Sequence, residues 1–134
     1  MKRPKSFSGI RHIALVVKKF EECEKFYTEI IGMKVLRRAN ANLVYLTNGC
    51  DNLSLGRATT QRESSTISVD HFGLIVESKQ HLQQWYEFMN SKGVTLLDVP
   101  HDHADGARSF HCKDPEGHVI QPLYHPDISN QIIN

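Results

Sequence analysis

The strongest constraint on the fold of this chain is an internal repeat. Residues 10–17 read IRHIALVV, and residues 69–76, which lie 59 positions later, read VDHFGLIV, so each segment has a histidine at its third position. At the same offset the aromatic pair at 26–27 (FY) matches the pair at 85–86 (WY). Two degenerate copies of one unit predict two similar modules, because each copy repeats the same order of apolar and polar positions.

Each copy is predicted to be a βαβββ unit: an apolar, β-branched strand, an amphipathic helix that ends at a glycine, and three short strands. The helices are predicted over 20–31 and 79–91. The short strands are predicted over 33–38, 42–47 and 52–57, and over 94–98, 107–112 and 117–123. The chain is therefore predicted to be one α+β domain with a first module at 9–58, a linker at 59–67, a second module at 68–123 and a tail at 124–134.

Composition excludes several classes of function. A net charge of +1 over 134 residues provides no basic field for nucleic acid or anionic lipid. The longest apolar run after the basic N-terminus, Ile13–Val17, is too short for a membrane span or a secretory signal. The three cysteines include no Cys-x-x-Cys pair, which favours reduced thiols over a disulfide framework. We expect a cytoplasmic protein that binds neither nucleic acid nor membrane.

The two strand histidines are the leading site candidates. Alternate residues of a strand share a face, so His12 and His71 point away from the bulky residues that pack under the helices. Gln121, in the last predicted strand, joins them if its register matches. Tyr45 and His111 stand three residues before equivalent turns and are candidates for proton transfer, His111 being the better because an imidazole titrates near neutral pH.

These features resemble the vicinal oxygen chelate superfamily, which includes glyoxalase I, extradiol dioxygenases and bleomycin-resistance proteins. The resemblance covers roughly residues 9–124. It rests on the paired histidine strands, on residues 31–33 (IGM) and on residues 114–121 (DPEGHVIQ), where members usually read Asp-Pro-x-Gly-Asn-x-Ile-Glu. It implies that the two modules form an eight-stranded, partly closed cup and that the protein is a homodimer.

The resemblance also implies a metal site. His12, His71 and Gln121 match the three ligand positions, and a fourth position, where the family has one, falls near Leu55, which cannot coordinate. Gln121 stands where members usually have a Glu ligand, so the ion has no anionic protein ligand and should bind less tightly. Nitrogen-rich ligation favours Fe, Zn, Ni or Mn over Ca or Mg.

Two functions are consistent with this site. The first is a metal-dependent enzyme, a lyase, isomerase or dioxygenase of glyoxalase-like type, whose small substrate chelates the ion through two oxygens. The alternative is a metal-free protein of bleomycin-resistance type that binds or sequesters a small molecule. In either case Arg108 is a candidate for binding a substrate anion. His103, in a polar segment at 101–105 that we expect to be a loop, is a candidate for lining the mouth of the site.

Overall fold

The computed structural model describes residues 1–5, 10–59, 69 and 71–131, so most of the predicted linker and the end of the tail lie outside the described residues. The first module consists of β1 (His12–Val17), α1 (Phe20–Lys25) with a π-helical continuation (Phe26–Ile30), β2 (Lys34–Asn40), β3 (Leu43–Thr47) and β4 (Asn52–Arg57). The second consists of β5 (Phe72–Ile75), α2 (Lys79–Ser91), β6 (Thr95–Leu96), β7 (His101–Asp102), β8 (Arg108–Ser109), β9 (Cys112–Lys113) and β10 (Val119–Tyr124).

Both modules have the same strand order. In the first sheet the order is β1-β4-β3-β2, with β1 and β4 parallel and the other neighbours antiparallel. In the second, β5 is parallel to β10, β10 is antiparallel to β8 and β9, and these pair with β7 and β6. The pairs β6/β7 and β8/β9 are interrupted halves of two longer strands, so ten segments occupy the eight predicted positions. The α+β fold with two βαβββ modules is confirmed, and the described strands do not close into a barrel.

The helix boundaries follow from local sequence. Helix α2 covers the predicted residues and begins after Ser78, whose hydroxyl accepts a hydrogen bond of 3.0 Å from the backbone N–H of His81. Gly93, with a φ of 73°, ends it in the left-handed region that glycine adopts without strain. Gly32, with a φ of 87°, ends the first helical segment in the same way.

The prediction of a loop over 101–105 is wrong at its first two positions. His101 and Asp102 form β7 and pair with Ser109 and Arg108 of β8. The physical reason is that pairing with a neighbouring strand satisfies the backbone groups of a segment whatever its side-chain polarity. A turn follows only after His103, whose backbone N–H donates to the carbonyl oxygen of Ala107.

The helix-facing sides of both sheets share one hydrophobic core. Leu55 in β4, Phe110 between β8 and β9, and Ile120 in β10 are fully buried in this cluster, together with Leu82 of α2. The opposite side of each sheet is turned away from the helices, and we refer to it as the open face. In the described part of the chain, no helix combines the length and the hydropathy needed to cross a membrane.

Polar contacts connect the modules at the turn before β10. The buried Tyr27 donates its hydroxyl to Asp114 Oδ2 at 2.8 Å, and the same oxygen lies 2.7 Å from His118 Nδ1. Glu116 accepts the backbone N–H groups of residues 18–19 at 2.6 and 3.1 Å. Burial alone would raise the pKa of Asp114, but its bonds to His118 and Tyr27 hold that pKa below its usual value. The bond to Asp114 raises the pKa of His118.

Candidate functional site

Strand alternation puts both sequence-predicted histidines on the open faces. In β1, His12 and Ala14 are exposed whereas Leu15 and Val17 are buried. His71 precedes β5 and is exposed, and the alternation continues through β5. The face assignment made from the sequence therefore agrees with the exposure of these strands.

On the second module, strand register brings three polar side chains onto one open face. Gln121 pairs with Gly73 in the parallel β5–β10 ladder, so it lies on the same face as His71, two residues earlier in the chain. Across β10, Ile120 pairs with Cys112, and the unbroken register puts His111 directly opposite Gln121. His71, Gln121 and His111 therefore occupy three neighbouring strands on one side of the sheet.

The two imidazoles of this face lie close together. The rings of His71 and His111 have centroids 5.8 Å apart with their planes at 86°. His111 Nδ1 is 2.8 Å from Asp98 Oδ2, and the backbone N–H of His111 donates to Asp98 Oδ1 at 2.6 Å. An imidazole that donates its Nδ1–H to a carboxylate keeps the Nε2 lone pair for a proton or a metal ion.

Gln121 is oriented by a buried serine. Its Nε2 donates to Ser109 Oγ at 3.0 Å, and Ser109 Oγ is also hydrogen-bonded to His103 Nε2 at 2.7 Å. Ser109 is fully buried, so its hydroxyl is held between these two partners. Because the amide nitrogen of Gln121 is bound to Ser109, the carbonyl oxygen, which is the atom able to bind a metal, is directed away from it.

The first module presents different side chains at the equivalent positions. Ser54 pairs with Ala14 in the parallel β1–β4 ladder and with Tyr45 in the antiparallel β3–β4 ladder, as Gln121 pairs with Gly73 and His111 in the second module. His12, Ser54 and Tyr45 are thus the counterparts of His71, Gln121 and His111. The position predicted near Leu55 is Ser54, because the side chain of Leu55 faces the helices and is fully buried.

His12 lies at the junction between the modules. Its Nδ1 is 2.6 Å from Asn52 Oδ1, its neighbour in β4. Both residues line a cavity of about 100 Å³ whose other walls include Met33 of the first module and Phe72 of the second. Arg11, Asp51 and Tyr27 also line it beside apolar side chains, and this mixture suits a small molecule or a few water molecules.

Arg108 lies on the helix side of its strand and not on the open face. Its guanidinium is 3.1 Å from Asp102 Oδ1, which also lies 3.3 Å from Lys79 Nζ of α2. Hydrogen bonds from Arg108 and from Lys79 lower the pKa of Asp102. Of the two residues predicted to bind substrate, the structure joins His103 to the open face of the second module, through Ser109, and separates Arg108 from it.

The donor chemistry of the second open face fits a divalent transition metal. Among the described residues, no three His, Cys, Asp or Glu side chains form a group that could hold a metal ion, so a site on this face needs a donor of another kind, and Gln121 offers an amide oxygen. Imidazole nitrogens with one amide oxygen suit Zn, Fe, Ni or Mn better than Ca or Mg, which prefer several oxygens. The Cys112 thiol is fully buried in the helix-facing core and not on this face, and burial raises its pKa to about 12, so it is not a nucleophile at neutral pH.

Sequence reasoning missed Asp98, Ser109 and Ser54. Asp98 belongs to the break between β6 and β7, 13 positions from His111, and nothing local in the sequence points to that contact. Ser54 could have been found from the sequence, because it alternates with the apolar Leu53 and Leu55 and so belongs to the opposite face of that strand. Ser109 immediately follows Arg108, and strand alternation alone would have put these two on opposite faces.

Comparison with known proteins agrees with this architecture. A family model described as the Glyoxalase/Bleomycin resistance protein/Dioxygenase superfamily matches residues 9–121. The fold is similar to that of lactoylglutathione lyase from Agrobacterium tumefaciens, with a TM-score of 0.74 and 20% identity over 90% of this chain and 96% of that one. It is also similar to an integron cassette protein from the mobile metagenome of the Halifax Harbour sewage outfall, with a TM-score of 0.74 and 26% identity over 88% and 99% of the two chains. The repeated modules and the match over most of the chain confirm the resemblance seen in the sequence: this chain belongs to the Glyoxalase/Bleomycin resistance protein/Dioxygenase superfamily.

Proposed function

We propose that this protein is a metal-dependent enzyme that acts on a small substrate carrying two adjacent oxygen atoms. The observation that carries the proposal is the orientation of Gln121. Its amide nitrogen donates to Ser109, which leaves the carbonyl oxygen available on the face that it shares with His71. The same serine hydroxyl also bonds His103 and is fully buried, so the Gln121 side chain is held in one orientation on this face.

In this proposal His71 and Gln121 hold the ion from the second module, and His12 binds from the open face of the first. These positions are the ones implied by the resemblance to the family. A divalent ion held there acts as a Lewis acid that polarises the oxygens of the substrate. With no more than a few protein donors, positions remain for a substrate, as in catalytic and not in structural metal sites.

We assign proton transfer to one of two side chains that hold equivalent positions on the two open faces, His111 and Tyr45. The Nδ1 of His111 is hydrogen-bonded to Asp98, which leaves Nε2 to exchange a proton. Tyr45 holds the equivalent position in the first module. Asp98 also fixes the orientation of the ring, because it bonds both the backbone and the side chain of His111. Arg108 is left out, since it is paired with Asp102 on the helix side.

The names of two related structures support a lyase or a dioxygenase as the reaction class, and the resemblance to the superfamily adds an isomerase. The protein from Agrobacterium tumefaciens is named a lactoylglutathione lyase, and a similar structure from Burkholderia phytofirmans is described as a glyoxalase/bleomycin resistance protein/dioxygenase family enzyme. Fold alone does not choose among these chemistries. The proposal therefore specifies the binding of the substrate and the role of the ion, and not the bond that breaks.

A second candidate is a metal-free binding protein of bleomycin-resistance type. It is favoured by the donor set, which has no carboxylate at the position where members usually have Glu, and by the cavity beside His12 and Asn52. In that case the open-face imidazoles and Gln121 donate hydrogen bonds to an organic ligand. The two candidates differ in one measurable property, which is the retention of metal.

We also propose that the protein is a cytoplasmic homodimer. Ile75 and Leu97 lie on the open face of the second module and are 47% and 45% exposed, and Leu36 of the edge strand β2 is 60% exposed. Apolar side chains at an edge and on one face favour covering by a second copy, either by exchange of modules or by pairing of complete cups. The three free cysteines agree with a reducing compartment. Sedimentation at micromolar concentration tests the dimer, and a 15.3 kDa species alone would contradict it.

Metal titration of the Gln121→Glu variant tests the proposal. The substitution adds a negative charge beside the cation, and a net gain of only about 1.4 kcal/mol tightens binding tenfold. We expect Zn²⁺, Mn²⁺, Ni²⁺ or Fe²⁺ to bind the unaltered protein, and the variant to bind at least about ten times more tightly. Calorimetry measures both affinities, and elemental analysis of protein purified without chelator reports the metal that is retained.

The exposed Gln131 supplies the control, because Gln131→Glu makes the same charge change in the C-terminal tail, outside every strand of the two sheets. Its affinity should equal that of the unaltered protein. If neither the unaltered protein nor Gln121→Glu binds any of the four ions at micromolar concentration, the enzyme proposal fails and the binding-protein candidate replaces it.

A further inference from the structure

The second module offers a metal donor that the sequence resemblance does not assign. We propose that His111 is a metal ligand, together with His71 and Gln121, and that Asp98 behind it supplies the negative charge that a glutamate ligand would otherwise bring. The inference rests on the proposed function and deepens it, because it names the donor that compensates for the neutral Gln121.

The first argument is position. Gln121 lies between the other two donors on the central strand, with Gly73 paired on one side and His111 opposite on the other. His71 precedes β5 on the same face, so the three side chains stand on neighbouring strands of one sheet. The second module alone then supplies two nitrogens and one oxygen, and His111 takes the place given to His12 in the proposed function.

The second argument is distance. With a metal–nitrogen bond of about 2.1 Å, the centre of a ligating imidazole lies roughly 3.2 Å from the ion, so two imidazoles on one tetrahedral centre have centroids about 5–6 Å apart. The His71 and His111 centroids are 5.8 Å apart, and the ring planes are nearly perpendicular. The spacing of the two rings therefore matches that of two imidazoles on a shared ion.

The third argument is the support behind the donors. A histidine that binds a metal through one ring nitrogen usually donates the other to a carboxylate or carbonyl, which fixes its tautomer and raises its basicity. His111 has this partner in Asp98, at 2.8 Å, and Gln121 has Ser109, at 3.0 Å. The Asp98 carboxylate also brings a negative charge close to the ion, which offsets part of what is lost with the missing Glu.

The inference decides between the two candidates for proton transfer. If His111 uses Nδ1 for Asp98 and Nε2 for the ion, neither nitrogen is left to exchange a proton with a substrate. That role then belongs to Tyr45, its counterpart on the first module. Tyr45→Phe should accordingly leave metal affinity unchanged.

Titration with Co²⁺ tests the assignment without any need for a substrate, because the visible absorption of bound Co²⁺ reports its ligands and calorimetry gives the affinity. We expect His71→Ala and His111→Ala each to weaken Co²⁺ binding by at least about 100-fold, more than the ~10–100-fold typical of changing a group behind a ligand. Asp98→Asn, which leaves the histidine in place, should weaken it by about 10–100-fold. Far-UV circular dichroism verifies that each variant is folded. If His111→Ala does not fold, Asp98→Asn still tests the assignment, because it leaves the histidine in place.

His101→Ala is the matched control. His101 is exposed on the same sheet, and its ring lies 4.8 Å from that of His103, so this pair is the competing place for an adventitious ion. Its removal should leave Co²⁺ affinity unchanged. A loss of binding in His101→Ala, or unchanged binding in both His111→Ala and Asp98→Asn while His71→Ala loses the ion, would overturn the assignment and leave the proposed function standing. No binding of Co²⁺ or Zn²⁺ by the unaltered protein would instead overturn the proposed function itself.

Discussion

The two modules have the same strand order but differ in what their open faces can bind. The first presents His12, Ser54 and Tyr45, and the second presents His71, Gln121 and His111 at the equivalent register positions. A hydroxyl replaces an amide, and a phenol replaces an imidazole. The second face therefore has the stronger metal donors, whereas the first has one imidazole beside a small cavity. A repeated scaffold can specialise by changing two side chains per copy while the core that supports them stays shared.

The prediction with the largest expected effect concerns whether the two modules fold as one unit. Phe110→Ala in the second module and Leu46→Ala in the first each remove a fully buried side chain of the single core cluster. We expect losses of about 3–5 and 2–5 kcal/mol in the free energy of unfolding, in one cooperative transition for each variant. Denaturant titration followed by circular dichroism measures both.

Val99→Ala is the control, because Val99 is 62% exposed and its truncation should change the free energy of unfolding by no more than about 0.5 kcal/mol. Two separated transitions in either core variant would show that the modules unfold independently, and the description of a shared core would then be wrong.

The next test addresses the contact that connects the modules. Tyr27→Phe removes the hydroxyl that donates to the buried carboxylate of Asp114. His118 still bonds the same oxygen, so the loss is that of one hydrogen bond to a charged group, and it should cost about 1.5–3 kcal/mol in the free energy of unfolding. Tyr45→Phe makes the same chemical change at a half-buried position on the open face and should cost less than about 0.5 kcal/mol. Equal losses in the two variants would contradict the role given to the Tyr27–Asp114 contact.

A third test sharpens the difference between the open faces. Ser109→Ala removes the acceptor that orients the Gln121 amide, and we expect Zn²⁺ affinity to fall about tenfold. Ser54→Ala removes a serine hydroxyl from the first open face and should leave that affinity unchanged. Calorimetric titration of the two variants side by side gives the comparison. If Ser54→Ala weakens Zn²⁺ binding as much as Ser109→Ala does, the second module does not hold the ion in the way proposed.

The smallest expected effect is a pH dependence at the contact between the modules. The pKa of His118 is raised in the folded protein, so its bond to Asp114 contributes full stability below the unfolded pKa of about 6.5 and loses it as pH rises through the folded value. His118→Asn keeps a donor near the position of Nδ1 but does not titrate. We expect the stability of the unaltered protein to fall relative to that of the variant as pH rises above about 6.5.

Thermal unfolding of both proteins from pH 5.5 to 8.5 measures this difference. A constant difference across the range would show that His118 is not protonated in the fold. Asp114 makes the stability depend on pH in the opposite direction, because its pKa is lowered in the folded protein. Its contribution to the free energy of unfolding is lost only as pH falls below the ordinary range of a carboxyl group. The two groups therefore leave the contact strongest in weakly acidic solution.

Much of the fold was predictable from the sequence because its signals are local or repeated. The helix at 79–91 follows from apolar spacing, a serine before its first turn and a glycine after its last. The faces of β1 and β5 follow from alternation around His12 and His71. The one incorrect loop, at His101 and Asp102, arose because polar side chains suggested a turn where a neighbouring strand satisfies the backbone.

The candidate site was likewise predictable only where its signals are local or repeated. Residue type and periodicity by themselves determined that two histidines of equivalent strands lie on the open faces, away from the helices. Only the tertiary structure decided that His111 stands opposite Gln121, that Asp98 bonds His111 across a break between strands, and that Arg108 belongs to the helix side. The physical reason is that alternation fixes which face a side chain is on, whereas its neighbours on that face depend on strand register and on irregular breaks. Both are set by packing between segments distant in the chain.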